Sequence, residues 1–151
     1  MRSQGEIEAA VCDGVSRFEQ EFVGRGPRDI RAHLLGSLLL VHLQGVLTPA
    51  ERQLAAPRLA AVGNGGNGVH GGNGVHGGNG LDSEGGNGRA LLKQVRAHMV
   101  AMGRPRLEQL VEAVTGVKLT SVHHDISTVT GEEVIVFSLA EPPACRPRKK
   151  P

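Results

Sequence analysis

The feature that most constrains this chain is the segment from Ser121 to Leu139, where side chains alternate along two short runs separated by Thr130-Gly131. β-branched residues are frequent on both sides of this dipeptide. Successive side chains of a strand point to opposite faces, so the pattern favours two antiparallel strands joined by a tight turn. The predicted cross-strand pairs are Val122–Leu139, His124–Phe137 and Ile126–Ile135.

The N-terminal part of the chain predicts a helix followed by another hairpin. Apolar residues recur every three or four positions from Ile7 to Phe22, which is the spacing of one face of an amphipathic helix, and Gly24 is placed to end it. Residues 29–35 and 38–46 flank Gly36-Ser37, a dipeptide suited to a two-residue hairpin turn. The predicted pairs are Leu34–Leu39, Ala32–Val41 and Ile30–Leu43.

Helical signals fill the stretch between the two hairpins. Thr48-Pro49-Ala50-Glu51 has the composition of a capping box with proline at the first helical position. Farther on, two apolar stripes flank Gly103-Arg104-Pro105 and predict either two helices or one kinked helix. The stripes are Leu92, Val95, Met99 and Met102, then Leu107, Leu110, Val111 and Val114. The order α-ββ-α-α-ββ predicts an α+β two-layer sandwich, with a four-stranded antiparallel sheet made of two hairpins and helices on one face.

A Gly/Asn-rich tract at 62–88 interrupts the helical signals. It holds 13 of the 22 glycines of the chain, and so few apolar side chains cannot offset the entropy of ordering the backbone. The tract is therefore predicted to be a flexible insertion within a single domain at 1–141. A disordered basic tail is predicted at 142–151.

Composition argues against several classes of function. The formal charge is only +2, and three phenylalanines are the only aromatic residues, which disfavours binding to nucleic acid. The longest apolar run, Leu34 to Leu43, is too short to cross a bilayer, so no transmembrane segment is predicted. Cys12 and Cys145 are predicted to be free thiols in a cytoplasmic protein.

Polar residues on the predicted strands are the only clustered chemistry. His123 and Asp125 share one face of their strand, as His33 and His42 do with Arg31 on the first hairpin. A metal site formed by His123 and Asp125 with His33 or His42 is one hypothesis, and it would make the protein a metal-binding regulator or a metal-dependent enzyme. A solvated sheet face or hydrogen bonds at an interface are the alternatives. Catalytic residues are unknown, no cofactor motif is present, and enzymatic activity has little support.

The same predicted face is too apolar for a simple solvated surface. Leu35, Leu38 and Leu40 would lie on it beside the histidines. An apolar patch of this kind is typical of an interface, so the sequence predicts a homo-oligomer that associates through these three leucines.

Several motifs, taken in order, resemble the MpsC domain family. They are Gly5-Glu6-Ile7, Gly24-Arg25-Gly26-Pro27, Gly45 to Glu51, Thr115-Gly116-Val117, Val122 to Thr128, Thr130-Gly131 and Val134 to Phe137. The family carries the description Na⁺-translocating membrane-potential-generating system, MpsC component. The resemblance implies an accessory protein associated with a membrane system that handles ions or inorganic carbon, through a membrane-protein partner. It supplies no catalytic residues. Peripheral contact with the membrane is a separate hypothesis, which rests on the four basic residues after Cys145.

Overall fold

The computed structural model describes residues 1–56 and 84–147 as three helices and four strands. In chain order they are α1 (Gln4–Phe22), β1 (Asp29–Leu35), β2 (Leu38–Gln44), α2 (Pro49–Ala55), α3 (Glu84–Thr115), β3 (Leu119–Ile126) and β4 (Glu133–Leu139). The predicted capping box at Thr48 is present at the start of α2, and a second complete capping box, with Ser3 as N-cap, begins α1.

The four strands form one antiparallel sheet in the order β1-β2-β4-β3. The two hairpins lie side by side because β2 pairs with β4, and β1 and β3 are the outer strands. Helix α1 packs on β1 and against α3, which in turn contacts β3 and α2. The predicted α+β class with a four-stranded antiparallel sheet is confirmed.

The core lies between the sheet and the helices. Alternate residues of each strand point toward the helices, and the predicted apolar face of α1 meets them from Ile7 to Phe18. The buried apolar side chains of the strands are Ala32, Leu34, Leu39, Val41, Leu43, Leu119, Ile126, Ile135, Phe137 and Leu139.

The two hairpins differ in how well their register was predicted. The β1–β2 pairs are the predicted ones, and Gly36 in their turn has φ of +62°. The β3–β4 register differs from the prediction by two residues, because a longer loop replaces the expected turn at Thr130-Gly131. In that loop the Gly131 N–H donates to the Ser127 carbonyl at 2.9 Å. A shift of two residues keeps each side chain on its predicted face. The observed pairs are Val122–Phe137, His124–Ile135 and Ile126–Glu133.

The apolar stripes on either side of Gly103-Arg104-Pro105 predicted either two helices or one kinked helix. The structure has one helix, α3, with Pro105 inside it. The predicted stripe that contains Leu107 and Val111 is buried, but the one that begins at Leu92 is wrong at two positions, since Val95 and Met102 are 40% and 63% exposed. Arg96 and Gly103 take the inward positions next to them. Gly103 lies against the ring of Phe18, where no side chain would fit, and Arg96 reaches buried carboxyl groups described below.

The segments predicted to be flexible are only partly covered by the structure. Residues 57–83 lie outside the described residues, whereas Gly85 to Gly88, the end of the predicted insertion, belong to α3. The basic tail is described as far as Pro147. Its Arg146 donates a backbone hydrogen bond to the Arg2 carbonyl at 2.9 Å and forms an ion pair with Glu6.

Substituting Gly103 tests the close contact between α3 and α1. We expect Gly103→Ala to destabilise the protein by about 1–3 kcal/mol, because the added methyl group would overlap with the Phe18 ring. This loss should outweigh the roughly 1 kcal/mol by which alanine favours a helix over glycine. Urea denaturation followed by circular dichroism measures the difference. Gly5→Ala is the matched control, since a side chain at Gly5 of α1 meets no neighbour, and equal stability of both variants would contradict the packing.

Candidate functional site

The side of the sheet that faces away from the helices is the surface on which most of the predicted site residues lie. We call this surface the open face. Three rows of cross-strand neighbours, each running from β1 to β3, make it up. They are Arg31–His42–Val134–Asp125, then His33–Leu40–Val136–His123, then Leu35–Leu38–Ser138–Ser121.

The open face is apolar at its centre and along one end. Leu35 is 61% exposed and Leu38 is 43% exposed, and both side chains lie on the solvent side of the sheet. Leu40, Val134 and Val136 are half-buried by their neighbours on the same face. The structure therefore places the three leucines predicted as an interface on one surface and adds two valines from β4 that the prediction did not include.

The residues predicted as metal ligands share this face but not one location. His33 lies on β1 and His123 on β3, which are the outer strands. Three strand spacings of about 4.8 Å separate the backbones of these strands by about 14 Å. Metal–ligand bonds to histidine and carboxylate are only about 2.0–2.2 Å long, so these four residues are too far apart to bind one ion together.

Three of the four predicted metal ligands have a local partner. His42 Nε2 lies 3.0 Å from Glu132 Oε2, and His123 Nε2 lies 3.2 Å from the hydroxyl of Ser121. Asp125 accepts hydrogen bonds from the Ile126 backbone N–H and from Lys93, and these two contacts hold the pKa of Asp125 below its ordinary value. Within residues 1–56 and 84–147, no three His, Cys, Asp or Glu side chains are grouped as a metal ion requires.

On the other side of the sheet lies a group of buried ionisable residues that the sequence analysis missed. Arg96 of α3 is 1% exposed. Its guanidinium donates to both carboxylate oxygens of Glu51 at 2.9 Å, to Glu19 at 3.2 Å and to the backbone carbonyl of Val46 at 2.8 Å, and it lies 3.5 Å from Glu133. We call Arg96, Glu19, Glu51 and Glu133 the ionic cluster. It joins α1, α2, α3 and β4.

Within the ionic cluster, protonation differs between the carboxyl groups. Burial, together with the charge of Glu133 and a hydrogen bond to it, raises the pKa of Glu19 to about 9 against the opposing effect of Arg96. Burial also opposes ionisation of Glu51, but hydrogen bonds from Arg96 and Thr48 prevail and lower the pKa of Glu51. The raised pKa keeps Glu19 protonated at neutral pH, whereas the lowered pKa keeps Glu51 ionised beside Arg96.

His124 lies beside the ionic cluster on the inward side of β3. Its Nε2 is 3.1 Å from Glu133 Oε1, but the two atoms are poorly aligned for a hydrogen bond, and neither has another partner among the described residues. The predicted pairing of His124 with Phe137 placed its side chain on the same face as those of Val122 and Ile126, and the structure confirms this inward position.

The spacing of residues in the sequence could have predicted that two members of the ionic cluster are buried. Glu133 has the same parity as Ile135 and Phe137, so its side chain had to point inward. Glu19 likewise follows Val15 by four positions on the buried side of α1. Buried carboxylates need a buried cation, and that requirement could have directed attention to Arg96.

Removing the cation should strongly destabilise the fold. We expect Arg96→Met to lower the free energy of unfolding by about 3–5 kcal/mol, because it leaves buried carboxylates without a partner. Arg106→Met is the control on the same helix, since Arg106 pairs with Glu21 at the surface and should contribute less than about 1 kcal/mol. Chemical denaturation measures both, and a similar loss in the two variants would contradict a special role for Arg96.

The raised pKa of Glu19 predicts a pH dependence of stability. Between the ordinary value of 4.5 and about 9, the folded protein holds a proton at Glu19 that the unfolded chain has released. The free energy of unfolding should therefore fall as pH rises through this range, by at most about 1.4 kcal/mol per pH unit from this one group. Glu19→Gln stays neutral and should flatten the decline. Glu21→Gln, an exposed position on the same helix, should keep the wild-type slope, and identical slopes in all three proteins would refute the assignment.

Comparison with known proteins agrees with the resemblance seen in the sequence motifs. The profile of the family described as Na⁺-translocating membrane potential-generating system (MpsC) matches residues 3–59 and 83–141, well over half of the chain. The uncharacterized protein YbcI of Bacillus subtilis (strain 168) is 28% identical over 138 residues, which cover 91% of this chain and 89% of that protein. No solved structure matches the chain significantly. The extent of the profile match shows that the chain belongs to the MpsC family.

Proposed function

We propose that this protein is a binding and assembly module that associates with a second copy of itself through the open face. The observation that supports this most directly is the exposure of Leu35 and Leu38 on a sheet surface that also carries Leu40 and two valines. An antiparallel sheet with one solvated face normally has polar side chains on that face. Apolar patches on a protein surface are typical of interaction sites.

The size of the open face sets the expected strength of the association. Four strands spaced about 4.8 Å apart, with seven residues rising about 3.3 Å each, give a face of about 20 Å by 23 Å. Stable interfaces commonly bury about 800 Å² on each partner, so a patch of this extent lies at the small end. A reversible dimer that depends on micromolar protein concentration follows from this estimate.

The family description supports a link between the proposed module and a membrane system. It names a membrane-potential-generating system that translocates Na⁺. Among the described residues, no helix combines the length and the apolar composition that crossing a bilayer requires. We therefore propose an accessory role, in which the protein acts on such a system through a membrane-protein partner and does not itself form the path of the ion.

A charge in the row of the open face that carries the exposed leucines tests the proposed self-association. We expect Leu38→Asp to shift the protein from dimer to monomer at micromolar concentration, because the carboxylate would have to lose its hydration inside the interface. Analytical ultracentrifugation over a concentration series measures the shift. Leu91→Asp is the matched control, since Leu91 is 49% exposed but lies on α3 and should leave the association unchanged. A wild-type protein that stays monomeric throughout the series would refute the proposal.

A further inference from the structure

We infer that the two copies are related by a two-fold axis parallel to the strands, which places Arg31 of each copy against Asp125 of the other. This inference rests on the proposed self-association through the open face and assigns its geometry. Because a two-fold interface is isologous, each such contact occurs twice in the dimer.

One row of the open face carries opposite charges at its two ends. The row runs from Arg31 on β1 through His42 and Val134 to Asp125 on β3. The side chains at its ends are highly exposed, 71% for Arg31 and 75% for Asp125. Arg31 at the β1 edge and Asp125 at the β3 edge are therefore opposite charges at the same height along the strands, each beside a partner of its own, Asp29 and Lys93.

The symmetry of face-to-face packing decides which charges meet. An axis parallel to the strands, running between β2 and β4, reverses the strand order of the second copy and keeps each row at its height. It therefore lays β1 of one copy over β3 of the other and brings Arg31 onto Asp125 at both edges. An axis perpendicular to the strands would lay β1 over β1 and bring no opposite charges of this row together.

The parallel axis also brings the apolar centres of the two faces together, and it sets Leu38 of each copy over Ser138 of the other and Leu35 over Ser121. Leu40 of one copy would lie over Val136 of the other, and His42 over Val134, because these residues are equidistant from the axis in their rows. Face-to-face sheets pack about 10 Å apart with their strands nearly aligned, which leaves room for interdigitated side chains at the centre. Arginine and aspartate side chains at the margins are long enough together to span that gap.

Neither charged residue is held firmly by its present partner. Arg31 Nε lies 3.4 Å from Asp29, and Lys93 Nζ lies 3.2 Å from Asp125, in pairs that are all largely exposed. Exposed pairs of this kind contribute little, and each side chain can accept an additional partner when a second copy approaches. Complementary charges at both margins would fix the orientation of the dimer.

Charge reversal at the two positions tests the geometry through the full-length protein. Arg31→Asp alone and Asp125→Arg alone should each weaken self-association by about tenfold or more, since both contacts of the dimer change from attractive to repulsive. An equimolar mixture of the two variants should form a mixed dimer with two attractive contacts and wild-type affinity. The double variant should recover as well, because its contacts are only exchanged.

Sedimentation velocity of the single variants, the mixture and the double variant gives the readout, with circular dichroism to check that each is folded. Arg106→Asp on the helix side should leave association unchanged. If the wild-type protein dimerises and Leu38→Asp abolishes the dimer, but the charge variants behave like wild type, the two-fold geometry is wrong while the proposed function stands. If the wild-type protein does not dimerise, both are wrong.

Discussion

The buried guanidinium of Arg96, with its hydrogen bonds to three carboxyl groups, is the interaction on which the arrangement of this fold depends. It brings together α1, α2, α3 and β4 in a space where Arg96 and Glu19 are each 1% exposed. Replacing a buried ionic group as a whole by apolar residues is often neutral or stabilising, whereas removing one member is strongly destabilising. We therefore interpret the ionic cluster as a group that selects one arrangement of the helices on the sheet. Its contribution to net stability is small by comparison.

That arrangement also explains why the open face is available. The helices meet the inward side of the sheet, and the inward row of β4 begins with Glu133, which contacts Arg96. Placing α3 on the other side of the sheet would separate Arg96 from Glu133, and a buried polar group that loses its partner is costly. The ionic cluster thus determines which side of the sheet the helices cover. The described helices leave the other side uncovered, and that side carries Leu35 and Leu38.

Local patterns predicted much of this fold, and they failed where distant groups decide the structure. The register of β1 and β2 was predictable because a short turn and the apolar alternation specify the same pairs. The register of β3 and β4 was not, because the loop between them is longer than its Thr-Gly signal suggested. Arg96 was not predicted to be buried, because its carboxyl partners are distant in the sequence. Glu19, for example, lies 77 residues away. The predicted metal ligands lie on one face of the sheet, as the alternation of side chains along each strand indicated. Alternation does not reveal the order of the strands, and that order separates these residues.

The charges at the margins of the sheet also disfavour association through its edges. Outer strands expose unpaired backbone groups that invite edge-to-edge aggregation, and charged side chains or bulges on those strands suppress it. Here β1 carries Arg31 and Asp29, while β3 carries Asp125 and has a register irregularity between Leu119 and Ser121. Both edges are thus disfavoured as sites of strand addition. The proposed dimer would cover the open face instead, and the same charges that disfavour strand addition would orient its two copies.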